Sequence, residues 1–155
     1  MNHQRRDALK AGGGLGVLGL LATVGLIRPE TAHAAWNEQA FGAKSLDAAF
    51  EVLGAGKPAV SDDVVLNTPD IAENGAVVPV GVVSKLPGTE YVAIMIEKNP
   101  YMLAASFTIP EGTQAEVQTR VKMGQTSDVY ALVKADGKFY MAKKEVKVTL
   151  GGCGG

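Results

Sequence analysis

Between Gln114 and Met123 the chain alternates without a break. Ala115, Val117, Thr119, Val121 and Met123 fall on one side of a period of two, and Gln114, Glu116, Gln118, Arg120 and Lys122 on the other. Successive side chains of a strand point to opposite faces, so this spacing specifies a strand with one face in a core and one in water. Such a strand needs partners, and six further stretches qualify: Val64-Val65-Leu66, Ala76 to Ser84, Tyr91 to Lys98, Leu103 to Ile109, Asp128 to Lys134 and Lys138 to Leu150. Turn residues separate them at Asn74-Gly75, Pro87-Gly88, Asn99-Pro100 and Pro110-Glu111-Gly112, and Asp136-Gly137 has the two-residue composition of a type I′ hairpin turn. Seven short strands with no helix between them predict an all-β fold, an immunoglobulin-like antiparallel β-sandwich.

Two segments qualify that picture. Leu46, Ala49, Phe50 and Leu53 recur at helical spacing between Ser45, a good N-cap, and Gly54, a good stop, which predicts one short N-terminal helix near 45–53. It would cover an open edge or end of the core. The stretch from Ala76 to Val83 does not alternate cleanly and contains Pro79, which has no N–H for a ladder. An edge or bulged position follows, with Val77, Val80 and Val82 either exposed to a partner or covered by the domain itself.

Residues 1–34 are set apart as an export signal. Arg5, Arg6 and Lys10 precede an apolar run from Ala11 to Ile27, shorter than the roughly 20 residues of a membrane span, and Ala32-His33-Ala34 forms a small-x-small cleavage site. The order Arg5-Arg6-Asp7-Ala8-Leu9-Lys10 resembles the twin-arginine motif, with Gln4 in place of its serine and Ala8 in place of its phenylalanine. Cleavage after Ala34 removes four of the 15 Lys/Arg and two of the 16 Asp/Glu, moving the formal net charge from −1 to −3. A mildly acidic product with no basic patch interleaved with aromatics is not built to neutralise phosphates, so nucleic acid is an unsuitable partner.

The same cut removes both histidines, His3 and His33. Serine and cysteine triads or dyads that use histidine, and His-ligated zinc or haem, are thereby excluded from the exported product. One cysteine allows no internal disulfide, no CxxC pair and no Fe–S ligand set. The expectation is a protein with no metal, no cofactor and no catalytic residues of its own.

That cysteine, Cys153, stands in "LGGCGG" between Gly151-Gly152 and Gly154-Gly155. Glycine carries no side chain and reaches most of backbone space, so residues 151–155 form a thin arm able to thread a narrow channel. The arm carries the thiol at most ~10 Å beyond Leu150, the expected end of a domain spanning 35–150. Exported proteins ordinarily pair their thiols. Three uses of Cys153 therefore stand side by side: an incidental or dimer-forming thiol, a covalent handle, or a nucleophile. An unassisted thiol, with a pKa near ~8.5, is a few per cent thiolate at neutral pH, and only Lys143, Lys144 or Lys147 is near enough in sequence to lower it. A handle activated in another protein's active site fits that chemistry better than a self-sufficient nucleophile.

The ending "EVKVTLGGCGG", together with "IAENGAVVPV" (Ile71 to Val80), "TRVKM" (Thr119 to Met123) and the twin-arginine leader, is similar to the SoxY family of periplasmic sulfur carriers. The similarity covers essentially all of the exported chain. It implies a heterodimer with a SoxZ-like subunit, each an immunoglobulin-like sandwich, and makes Cys153 the attachment point for sulfur intermediates. It further implies three periplasmic visitors to the arm: a c-type cytochrome complex that joins thiosulfate to Cys153, a hydrolase that releases sulfate, and a sulfur dehydrogenase. Two other classes compete. Ubiquitin-like sulfur carriers also end in glycine but need ATP, which an exported protein does not meet. An exported binding module would instead use Cys153 for intermolecular disulfides.

Overall fold

The computed structural model describes residues 37–149. The expected signal peptide with Arg5 and Arg6, and the expected arm with Gly151, Gly152, Cys153, Gly154 and Gly155, lie outside the described residues. Two short helices open the described chain, α1 (Glu38–Phe41) and α2 (Leu46–Val52). The expected N-cap holds: Ser45 accepts a hydrogen bond from the Ala48 amide at 3.2 Å, and Gly54 follows the helix at a φ of 72°. The helix α1 is an addition; Asn37 caps it by accepting from the Ala40 amide at 3.0 Å.

Nine strands follow: β1 (Ala59–Val60), β2 (Val64–Asn67), β3 (Ile71–Ala72), β4 (Val78–Ser84), β5 (Thr89–Ile96), β6 (Leu103–Thr108), β7 (Glu116–Val121), β8 (Ser127–Ala135) and β9 (Lys138–Val148). Seven are the expected ones. The other two, β1 and β3, are two residues each and run parallel to β9 at its two ends, pairing Ala59 with Tyr140 and Ile71 with Lys147. One sheet has the order β1-β9-β8-β5-β6, with β3 also on β9, and the second has the order β2-β4-β7. The expected β-sandwich stands. The turn between β8 and β9 also forms as read, with Asp136 and Gly137 both at positive φ and Ala135 opposite Lys138.

The core between the sheets takes Val78, Val80, Val82 and Val121 from the smaller sheet and Val92, Ile94, Ile96, Val129, Ala131, Val133 and Val146 from the larger. A second cluster lies on the other face of the larger sheet, where Ala93, Met95, Tyr130 and Leu132 pack against Ala40, Ala49 and Phe50 of the helices. Both faces of β5 and β8 are therefore dry at their centres, which is why "YVAIMI" and "VYALV" are unbroken apolar runs. The helix covers a sheet face, not the edge or end expected of it.

A second correction concerns β4. It is the middle strand of its sheet, and Val80 and Val82 are fully buried. Pro79 is tolerated there because β2 ends at Asn67, opposite Gly81, before reaching it. The side of the strand where Pro79 lacks an N–H has no ladder to break, and its carbonyl on that side accepts the Thr68 hydroxyl at 3.2 Å. Of the three valines considered for a partner surface, only Val77 is exposed.

Candidate functional site

The site that can be built from the described residues is the end of β9, just before the segment expected to form the arm. Each of its last three described residues is pinned. The Lys147 amide donates to the Asp70 carbonyl at 2.9 Å, the Val148 amide to the Thr126 hydroxyl at 3.0 Å, and the Thr149 amide to the Ala72 carbonyl at 3.1 Å. Lys147 and Thr149 are held by the segment around β3, Val148 by the loop before β8. Two residues earlier, Val146 is fully buried opposite Ser127. A strand held on both sides to Thr149 gives whatever follows a fixed point of departure.

Three loops are stitched together around that point. In the loop after β3, Asn74 accepts from the Ala76 amide at 2.9 Å through its side chain and from the Val77 amide at 3.3 Å through its carbonyl. Gly75 then presents its carbonyl to the Met123 amide at 2.7 Å. A Cβ at Gly75 would run into the Met123 carbonyl and stand 2.9 Å from Val148 Cγ1, so glycine is required here by close approach. Between the second and third loops, the Asn99 side-chain amide donates to the Lys122 carbonyl at 2.8 Å. Ser127, buried, accepts from the Lys98 amide and donates to the Asp128 carbonyl, each at 3.0 Å. Every buried side-chain polar atom among the described residues has a partner.

Two of the three lysines considered as helpers of the thiol have other commitments. Lys143 pairs with Asp128 at 3.2 Å, and this hydrogen bond and charge hold its ammonium above the ordinary lysine range. Lys144 reaches the Asp70 carboxylate at 2.9 Å and the Thr68 carbonyl at 2.7 Å, latching the crossover from β2 to β3 onto the edge of β9. For Lys147 only the backbone bond places it at the root. Among the described residues no group of three or more His, Cys, Asp or Glu side chains converges on a point that could hold a metal ion.

Sequence reading placed Cys153 and its glycines without a support. It read Asn74-Gly75 as a turn and missed that the turn touches the last strand.

A family model described as sulfur oxidation protein SoxY matches residues 50–153, from within α2 to Cys153. The solved structure of the sulfur carrier protein SoxY from Chlorobium limicola f thiosulfatophilum is 35% identical. The alignment covers 64% of this chain and 93% of that one at a TM-score of 0.57. A chain from the solved structure of T-cell activation by the bacterial superantigen toxic shock syndrome toxin-1 aligns at a TM-score of 0.40 and 12% identity, covering 56% of this chain and 99% of that one. That likeness bears on neither fold nor function. No curated protein matches significantly.

Proposed function

Because the chain belongs to the SoxY family of sulfur oxidation proteins, we propose that it carries sulfur intermediates covalently on Cys153 and presents them to periplasmic enzymes. The observation that carries this reading is the family match running to Cys153, four residues beyond a strand end pinned at Thr149. The protein supplies the atom and the tether, and the catalysis belongs to its visitors. Among the described residues no helix is long and apolar enough to cross a membrane. Export by way of Arg5-Arg6 and assembly with a SoxZ-like subunit complete the proposal.

The chemistry balances with outside catalysts alone. Thiosulfate and the Cys153 thiol join as an S-thiosulfonate when the new S–S bond forms, releasing one proton and passing two electrons to a c-type cytochrome. Water then cleaves the terminal S–S bond, giving sulfate, two protons and a persulfide anion on Cys153. A sulfur dehydrogenase then oxidises the outer sulfur to a sulfonate with three waters, releasing six protons and passing six electrons to a cytochrome, and a further hydrolysis releases sulfate and one proton and returns the thiol.

Intact mass of the C-terminal peptide from cells oxidising thiosulfate, with and without reductant, is the test. A reducible adduct on Cys153, absent in Cys153→Ser, is expected. Deleting Gly151-Gly152 shortens the reach by ~7 Å and should block modification while the domain stays folded. Protein recovered mainly as a disulfide-linked dimer, with thiosulfate consumption unchanged in Cys153→Ser, would identify a binding module and overturn the carrier reading.

A further inference from the structure

The smaller sheet has the order β2-β4-β7, so β7 is paired on one side only. The Ser84 amide donates to the Ala115 carbonyl at 2.9 Å, which sets the alternation of the ladder between β4 and β7. Val117, Thr119 and Val121 follow Ala115 in turning their backbone groups to β4, and Glu116, Gln118 and Arg120 turn theirs outward. The Glu116 amide is met by the Gln114 carbonyl at 2.9 Å. The Glu116 carbonyl and both backbone groups of Gln118 and Arg120 have no partner among the described residues. The other edges are short, bulged or covered: β2 has four residues and runs into the crossover latched by Lys144, β6 bulges opposite Ile94 and Met95, and β9 carries β1 and β3 at its ends.

Natural edges are commonly guarded by charges that repel a second copy. On β7 the charges do the opposite. Glu116 and Arg120 stand two residues to either side of Gln118, and all three are exposed on the outer face. Arg120 is the only arginine among the described residues and forms no ion pair there. We propose that β7 pairs antiparallel with β7 of a second copy of this chain, about a two-fold axis at Gln118, joining the two smaller sheets into one. Glu116 then lies opposite Arg120 of the second copy on both sides of the axis, so opposite charges meet twice. On the inner face Val117, partly buried against the core, meets Thr119 of the second copy. The backbone agrees with the charges. The axis at Gln118 pairs only residues that face outward, so the Gln118 amides donate to each other's carbonyls and each Arg120 amide to the Glu116 carbonyl across the axis. A slip of one residue sets outward groups against inward ones, and a slip of two separates Glu116 from Arg120. One strand pair buries little surface, so the dimer is weak and concentration-dependent. This pairing does not depend on the carrier reading.

Sedimentation velocity of the full chain, with any subunit that copurifies, over a concentration series is the test. The parent should associate through two copies of this chain. Glu116→Arg and Arg120→Glu should each weaken that association by about tenfold, because either one sets like charges together on both sides of the axis. Mixing the two variants should restore it, since one then carries two positive side chains on β7 and the other two negative ones. Hydrogen exchange at the Gln118 and Arg120 amides should slow as the parent's concentration rises, and thermal unfolding checks that both variants stay folded. A parent that never pairs two copies, variants that associate as it does, or a dimer in which those amides stay unprotected would overturn the pairing. Release of a different copurified subunit by the single reversals would assign the edge to that subunit and overturn it equally. None of these results touches the adduct on Cys153, which the mass of the C-terminal peptide tests separately.

Discussion

At the scale of single residues, the arm root shows how a small side chain is fixed by its surroundings. Asn74-Gly75 reads as a turn in the sequence, and a turn forms, but the reason for glycine is the Met123 backbone and Val148 pressed against it. Gly75→Ala should therefore destabilise by about 1–3 kcal/mol, as overpacking does, seen as a lower midpoint in urea with an unchanged slope. An alanine that cost nothing would mean the loop yields freely and does not brace the last strand. Pro79 teaches the converse. Its sequence signal pointed to an edge, yet what matters is one missing N–H, and the early end of β2 removes the need for it.

At the scale of elements, α2 spans Leu46–Val52, too short to persist in water by itself, so it exists through packing. Phe50 is buried against the larger sheet, whereas Val52 is exposed. Phe50→Ala should cost about 3–5 kcal/mol and Val52→Ala less than about 0.5 kcal/mol, measured by denaturant unfolding. Equal, small effects would show the helix to be dispensable to the domain and free to serve a partner. The helix itself was legible, because Leu46, Ala49, Phe50 and Leu53 repeat at its period. What it covers was not, since a 3.6-residue period marks an apolar face without naming the surface opposite. The short strands β1 and β3 were illegible for a related reason: two residues carry no period, and only the neighbouring β9 makes strands of them.

At the scale of the molecule, the two-faced burial of the larger sheet partly withdraws two phenols from water. Burial pushes the pKa of Tyr91 up, partly offset by its hydrogen bond with Ser106. Burial does the same to Tyr130, reinforced by the Glu97 carboxylate and opposed by Lys143. Above pH ~10 the unfolded chain loses these protons first and binds fewer than the folded one, so stability falls as pH rises from there through the folded values. Tyr91→Phe with Tyr130→Phe should flatten that alkaline decline in a series of urea melts, and an unaltered slope would exclude the two phenols as its cause. The sequence by itself determined the strand pattern, the tight Asp136-Gly137 turn and the glycine-flanked Cys153, because period, backbone freedom and the chemistry of a thiol are local properties. Only the tertiary structure decided that β4 is a middle strand, that the helices cap a sheet face, and that Gly75 and Thr126 meet the end of β9. Those facts depend on which distant segments become neighbours, and that is settled by burial and pairing over the whole chain.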